Sequence, residues 1–365
     1  MKLLFDKMAL DLTDPKMQKI VDMNTTIVVH NGQFHADDAF SVALVLIVRE
    51  CFNDTRLAEA SICEMVHRQS VASIIENGPE DLGENPLFLD MKGGDFDHHF
   101  NDPEKLINVV YEGKEQPKNV PYLKSTLATL GTIWMNSDVG KCFDCVGFKI
   151  PKGKGVLEAQ HVNLKSIHET IYWKHISSID LRDNFGKKYE SPISDIIRNM
   201  NFGSSTDDCI YAVPEKYKKA NPNDDRGFKL FINAVLVCKN ILEGWIFHEQ
   251  QFYHSIEMLF KPFVEFKYSN VNGNEYVVLK ENEEKETSVN LDAVKLLFPD
   301  VKFLINETPD VRGNTYRAVV IDSEVWKFPE QYLESPAEGQ QFMHAQRFLA
   351  TFDTLDNLHK FADNV

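Results

Sequence analysis

The residues best equipped for chemistry stand in four short stretches. "HNGQFHADD" supplies His30, His35, Asp37 and Asp38. "PLFLD" ends on Asp90, "FDHHF" sets Asp97 before the adjacent pair His98 and His99, and "IDLRDN" carries Asp180, Asp183 and Asn184. Neutral imidazole and carboxylate together suit a divalent transition ion such as Mn²⁺, Zn²⁺ or Fe²⁺. Carboxylates can bridge two ions, and ions about 3.5–4 Å apart are a recurring device for in-line displacement at phosphorus. The attacking group is then an activated water, so no serine or cysteine nucleophile is needed. Taken singly, each residue is more often structural than catalytic. The His-His pair, following Gly93-Gly94, reads on its own as a polar surface turn. What favours metal chemistry is convergence: these histidines and aspartates stand at the ends of strand-like runs or in the turns that follow.

The elements that must position them are legible in outline. "TTIVVH" is a β-branched apolar run ending at His30 and reads as a buried strand. "NGQFHADD" is the turn after it, and "AFSVALVLIVREC", from Ala39, reads as a mostly buried helix. "ASICEMVHR" reads as strand-like, "SVASIIENG" as a short helix, "PLFLD" as a second buried strand, and "STLATLGTIWMN" as a helix. Alternating strands and helices with apolar strands predict an α/β fold with a mostly parallel sheet. In such sheets ligands bind beyond the carboxyl ends of strands, where His30 and Asp90 fall. "SIHETIYWKHISSIDLRDNFG" predicts a helix leading into a turn that carries Asp180, Asp183 and Asn184. The stretch from Asp224 to Phe260 predicts one long helix closed by Pro262. Beyond it "FVEFKYS", "EYVVLKE", "KFLINE" and "TYRAVVID" read as strands, with "LDAVKLLFP" as a helix among them. The last segment starts strand-like and ends helical. The expected division is an N-terminal catalytic domain over residues 1–205, a helical connector over 206–262 and a smaller C-terminal α/β domain over 263–365.

Composition narrows the function. With 365 residues, 43% hydrophobic and 26% charged, the chain has globular composition and room for two cores. A net charge of −16 disfavours non-specific binding to long nucleic acid, which depends on neutralising phosphates, but it leaves a short anionic substrate in a metal-loaded cleft. No apolar run is expected to reach the length of a membrane span, and the N-terminus carries neither a good secretory signal nor an Arg-rich transit peptide. The six cysteines are scattered, which suits reduced thiols in a cytoplasmic or nuclear protein; a mitochondrial location stays open. The basic loop "KIPKGKG" and the polar stretch Asn101 to Tyr122 read as surface insertions.

"HNGQFHADDAF", "LFLDMKGG", "FDHHF" and "IDLRDNFG", in that order, resemble the DHH phosphoesterase superfamily. Within it the chain is most similar to the melanocyte-proliferating-gene family of metal-dependent hydrolases, viewed as 3′→5′ exoribonucleases. The resemblance implies a DHH-type N-terminal domain with two divalent ions, Mn²⁺ first, with Mg²⁺, Zn²⁺ or Fe²⁺ as alternatives. It implies that His30, His35 and Asp90 hold one ion. Asp37, His98 and either Asp183 or Asp180 would hold the other, with Asp90 bridging. Asp97, His98, His99 and Asp38, which stands where the family usually has Glu, would form the catalytic set. His99 would face the substrate phosphate, as hydrogen-bond donor or as acid to the leaving oxygen. Asn31, Asn184 and His344 would join it in contacting substrate. The superfamily's C-terminal Gly-Gly-His turn is not matched, because Ala350, Thr351 and Phe352 occupy its place beyond His344 and Phe348. The implied activity is a 3′→5′ exoribonuclease acting on RNA ends or short oligonucleotides. The alternatives are a small-molecule phosphoesterase or pyrophosphatase with the same metal centre, and a retired family member that only binds.

Overall fold

The computed structural model describes residues 13–69, 82, 85–91, 95–96, 110–111, 114–115, 129–136, 171–176, 178–179, 191–202, 225–281, 289–309 and 315–365. The described residues up to Phe247 form one compact unit and those from His248 onward a second. The predicted helix at "SVASIIENG", the basic loop and the predicted turn at Asp180–Asn184 lie outside the described residues.

In the first unit the apolar run before His30 folds as β1 (Ile27–His30), the centre of a parallel sheet ordered β2-β1-β3. Its partners are β2 (Val66–Gln69) and β3 (Leu87–Leu89). Ile27, Val28 and Val29 are fully buried, which is why this strand reads as a continuous apolar run rather than an alternating one. Before β1, α1 (Pro15–Val21) starts with Asp14 accepting a hydrogen bond from the Lys16 N–H and Pro15 at its first position. After β1, α2 (Ala36–Phe52) is buried on nearly every side. Arg49 of α2, itself fully buried, donates to the carbonyls of Lys19, Ile20 and Thr25 and so fastens α1 and its exit to α2.

The segment "ASICEMVHR", expected as strand throughout, divides into α3 (Glu59–Met65) and β2. Short apolar runs carry no decisive period, and here Ile62 is the one buried residue of α3. Residues 110–115 contain a small hairpin, β4 (Val110–Tyr111) with β5 (Lys114–Glu115). Among the described residues three further helices follow: α4 (Thr129–Asn136), α5 (Pro192–Asn199) and α6 (Asp225–Met258), with a π-helical turn at Tyr172–Ile176 between the first two. Contrary to the expectation that no apolar run is long enough, Gly227–Met258 would cross a membrane by length and composition alone. A core helix meets the same criterion, and Phe231, Ile232, Val235, Cys238, Leu242 and Ile246 are buried at helical spacing.

The second unit is built on a six-stranded sheet ordered β10-β11-β9-β8-β7-β6. Its strands are β6 (Val264–Tyr268), β7 (Glu275–Leu279), β8 (Phe303–Asn306), β9 (Tyr316–Val320), β10 (Gln340–Met343) and β11 (Leu349–Phe352). Only β7 and β8 pair in parallel, and the helix α7 (Leu291–Leu297) lies between them in the chain, as a parallel connection requires. The short helix α8 (Gln331–Glu334) was not foreseen; α9 (Leu355–Asn364) closes the chain and begins at Thr354, whose side chain accepts from the Asn357 N–H. Tyr276, Phe303, Phe328, Phe352 and Phe361 form the aromatic centre of its core.

Candidate metal centre

His30 ends β1, and Asp90 follows β3, so both stand at the carboxyl edge of the parallel sheet. Asp90 adopts a left-handed backbone conformation (φ +49°), which turns the chain sharply as it leaves the strand. Such a conformation is uncommon for a non-glycine residue, and aspartate is among the residues that tolerate it. The turn between β1 and α2 is tied down at every step. The Asn31 N–H donates to the carbonyl of Gln69 (3.0 Å), and Arg68 Nη2 donates to the Gly32 carbonyl (2.8 Å). Gly32 itself has φ +102°, a conformation that demands glycine. The side-chain amide of Asn201 grips Phe34 twice, accepting from its N–H (2.9 Å) and donating to its carbonyl (2.8 Å). His35 then caps α2, and its N–H donates to Asp38 Oδ2 (2.7 Å). An acid three residues past the cap commonly folds back in this way.

These constraints gather His30, His35, Asp38 and Asp90, each offering a ligand atom, with all four atoms within 4.8 Å of one another. His30 Nδ1 lies 2.9 Å from the Asn31 carbonyl, while Nε2 lies 3.0 Å from Asp38 Oδ2 and 3.8 Å from Asp90 Oδ2. A ring fixed through one nitrogen by a backbone carbonyl presents its other nitrogen as a ligand, the usual arrangement of a metal-bound histidine. Asp38 and Asp90 are buried, and two carboxylates in one desolvated place repel unless a cation stands between them. Here the cation is His30: the Asp38 charge, working against burial, lifts the imidazole to about 9. Burial acts to raise Asp38, yet the charge and hydrogen bond of His30 hold its carboxyl far below the ordinary range. Asp38 Oδ1 is buried and has no hydrogen-bond partner among the described residues. Two imidazoles, two carboxylates and an oxygen without a donor fit a divalent ion.

Of the expected ligands, His30, His35 and Asp90 therefore come together. Asp37 is buried beside them in sequence but is not among the four; its Oδ1 accepts the N–H of Leu130 (2.8 Å) in the first turn of α4. Asp38, expected in the catalytic set, stands among the four residues that could hold an ion. The signal for it lies in the sequence: it stands three residues after the helix cap, where a side chain turns back toward the strand end. Asp97, His98, His99, Asp180, Asp183 and Asn184 lie outside the described residues. The two residues before Asp97 are well anchored. Asp95 accepts from Lys19 Nζ (2.9 Å) and from the Phe88 N–H (3.2 Å), and its carbonyl accepts from Lys16 Nζ (2.6 Å). Phe96 bridges to Leu89, and its carbonyl accepts from the Thr129 hydroxyl (2.8 Å).

His344 belongs to the second unit, just past β10, with its ring 4.2 Å from that of Phe348 and its Nδ1 accepting from the Gln346 N–H. Ala350–Phe352, which take the place of the superfamily's Gly-Gly-His turn, form no turn, in keeping with the strand-like start expected of the last segment. These residues are an inner strand, paired with β9 on one side and β10 on the other, with Ala350 and Phe352 fully buried. The turn of this hairpin lies earlier, at His344–Phe348, with Arg347 at φ +61°.

Comparison with known families gives one match. The model of the MYG1_exonuc family, described as an uncharacterised protein family (UPF0160), matches residues 26–365. The short name denotes an exonuclease. No curated protein and no solved structure matches.

Proposed function

The chain belongs to the MYG1_exonuc family, and from that premise we propose that it is a divalent-metal-dependent phosphodiesterase, a 3′→5′ exoribonuclease acting on RNA ends or short oligonucleotides. The observation that carries this reading is the convergence of His30, His35, Asp38 and Asp90 at the carboxyl edge of a parallel sheet. A divalent metal held there, Mn²⁺ first by the family resemblance, would supply polarisation of the phosphoryl oxygen and activation of the attacking water. The chain's own part is positioning. Asn201, Arg68 and the Gln69 backbone hold the turn that carries His30 and His35, so the ligand geometry is set before anything binds. His98, with Asp37 and Asp183 or Asp180, is proposed to hold a second ion, and Asp97 and His99 to serve the phosphate. The net charge of −16 fits a short substrate better than a long duplex.

The test is cleavage of end-labelled short RNA and DNA by metal-stripped protein, with and without Mn²⁺, beside Asp90→Ala and His98→Ala. Mn²⁺-dependent shortening from the 3′ end of RNA, absent in both variants, is the expected result. Metal-bound, folded protein that cuts neither polymer would overturn the nuclease reading in favour of a small phosphate ester or of a protein that only binds. Full activity in both variants would overturn the ligand assignment.

A further inference from the structure

The residue in register with His30 on the neighbouring strand is Gln69, the last of β2. In a parallel pair, residues at matched register project to the same face, about 4.8 Å apart. Gln69 therefore stands beside His30 on the same face, at the same edge where the metal ligands gather. It is 2% exposed, and neither its side-chain oxygen nor its side-chain nitrogen has a hydrogen-bond partner among the described residues. A buried primary amide brings two donors and an acceptor oxygen. Leaving such groups unsatisfied costs about 1–3 kcal/mol each, and buried polar atoms without partners are rare in native proteins. A leucine or methionine would fill the same volume without that cost. The backbone of Gln69, in contrast, is engaged, since its carbonyl receives the Asn31 N–H.

The nearest cation does not explain the amide. Arg68 is adjacent in sequence and so projects from the opposite face. There its Nη2 binds the Gly32 carbonyl, and its guanidinium lies 4.7 Å from the Phe231 ring centroid and 5.7 Å from that of Phe34. The Arg68 charge is felt at His30 and Asp38 through the protein, but the polar group on the His30 face of the strand is the neutral amide. A neutral donor adds no charge to the cluster, yet it can bond an anionic oxygen lodged there.

Resting on the phosphodiester reading above, we propose that Gln69 is a substrate-contacting residue. Its Nε2 donates a hydrogen bond to a non-bridging oxygen of the phosphate held at the His30–His35–Asp38–Asp90 centre. The experiment uses the full chain loaded with Mn²⁺ and, as probes, inorganic phosphate and adenosine 5′-monophosphate, titrated by calorimetry against wild type, Gln69→Met and Gln69→Glu. His67→Leu serves as the control. It removes another buried nitrogen without a partner among the described residues, two residues back on the same strand. Gln69→Met is expected to bind Mn²⁺ within about twofold of wild type and to bind both probes about tenfold more weakly, a loss of about 1.4 kcal/mol. Gln69→Glu, with a like charge facing the phosphate, is expected to lose more, and His67→Leu to lose nothing. Wild-type probe affinity in Gln69→Met, with a raised melting temperature, would overturn the assignment and leave Gln69 as a buried defect. If wild type itself binds neither probe and cuts no RNA, the phosphodiester reading fails and this proposal with it.

Discussion

Asp38→Asn separates the electrostatic role of this carboxylate from its structural one. An asparagine oxygen can still accept the His35 N–H that Asp38 Oδ2 now accepts at 2.7 Å, so the helix cap, worth about 1 kcal/mol, is kept. What disappears is a buried negative charge 3.0 Å from His30 Nε2. That charge is the largest cause lifting His30 from 6.5 to about 9; burial and the charge of Arg68 both act to lower it. The lift corresponds to about 3 kcal/mol of added preference for the protonated imidazole. Because the folded value lies above the unfolded one, the pairing stabilises the metal-free protein fully below about pH 6.5. That stabilisation is lost as pH rises through about 9. Imidazole NMR titration of the metal-free variant should place the His30 midpoint at or below 6.5. Urea unfolding should show wild-type stability falling by up to about 3 kcal/mol between pH 6.5 and 9 relative to the variant. Calorimetry should show Mn²⁺ affinity reduced by at least about tenfold, since a ligand is gone. A midpoint still near 9 in the variant would refute the pairing, and unchanged Mn²⁺ affinity would refute the ligand role.

Asp90→Gly should melt no lower than wild type without metal, because glycine accepts φ +49° freely and a buried carboxylate is removed, but it should lose the rise in melting temperature that Mn²⁺ gives wild type; scanning fluorimetry with and without the ion checks both. Arg49→Ala should destabilise the first unit by about 4 kcal/mol, measured by urea unfolding on tryptophan fluorescence, because three carbonyls lose their donor; a loss below about 1 kcal/mol would count against that account. Phe352→Ala, emptying a fully buried site of the second unit, should cost about 3–5 kcal/mol in the same assay, and a smaller effect would mean that the aromatic centre closes over the gap.

β1 and β3 of the first unit were legible because their apolar runs stop abruptly at His30 and Asp90, and a buried parallel strand needs no alternation to be recognised, whereas the β4–β5 pair fell in a stretch read as a surface insertion. The long helix α6 and the strands and helix from Val264 to Val320 were legible for a similar reason: period, punctuation and Pro262 agree. What could not be read were bonds between residues distant in sequence. Nothing near Asn201 announces that its amide holds Phe34, 167 residues earlier. Register decides that Gln69 stands beside His30 and Arg68 does not. α3 was missed because a seven-residue segment with one buried apolar side chain has no period to find. That Asp38 joins His30, His35 and Asp90 follows from helix capping, because the residue three past the cap folds back toward the strand end. At the C-terminus the strand-like start of the last segment was legible from the β-propensity of "RFLATF".

The family match begins at residue 26, whereas α1 ends at Val21. Yet α1 supplies Lys16 and Lys19, which clasp Asp95 two residues before Asp97, and it is itself locked to α2 by Arg49. Asp95 is thus held in part by a helix that lies before the matched residues. Replacing Lys16 and Lys19 would loosen the hold on Asp95, and with it the exit from β3, while His30, His35, Asp38 and Asp90 stay as they are.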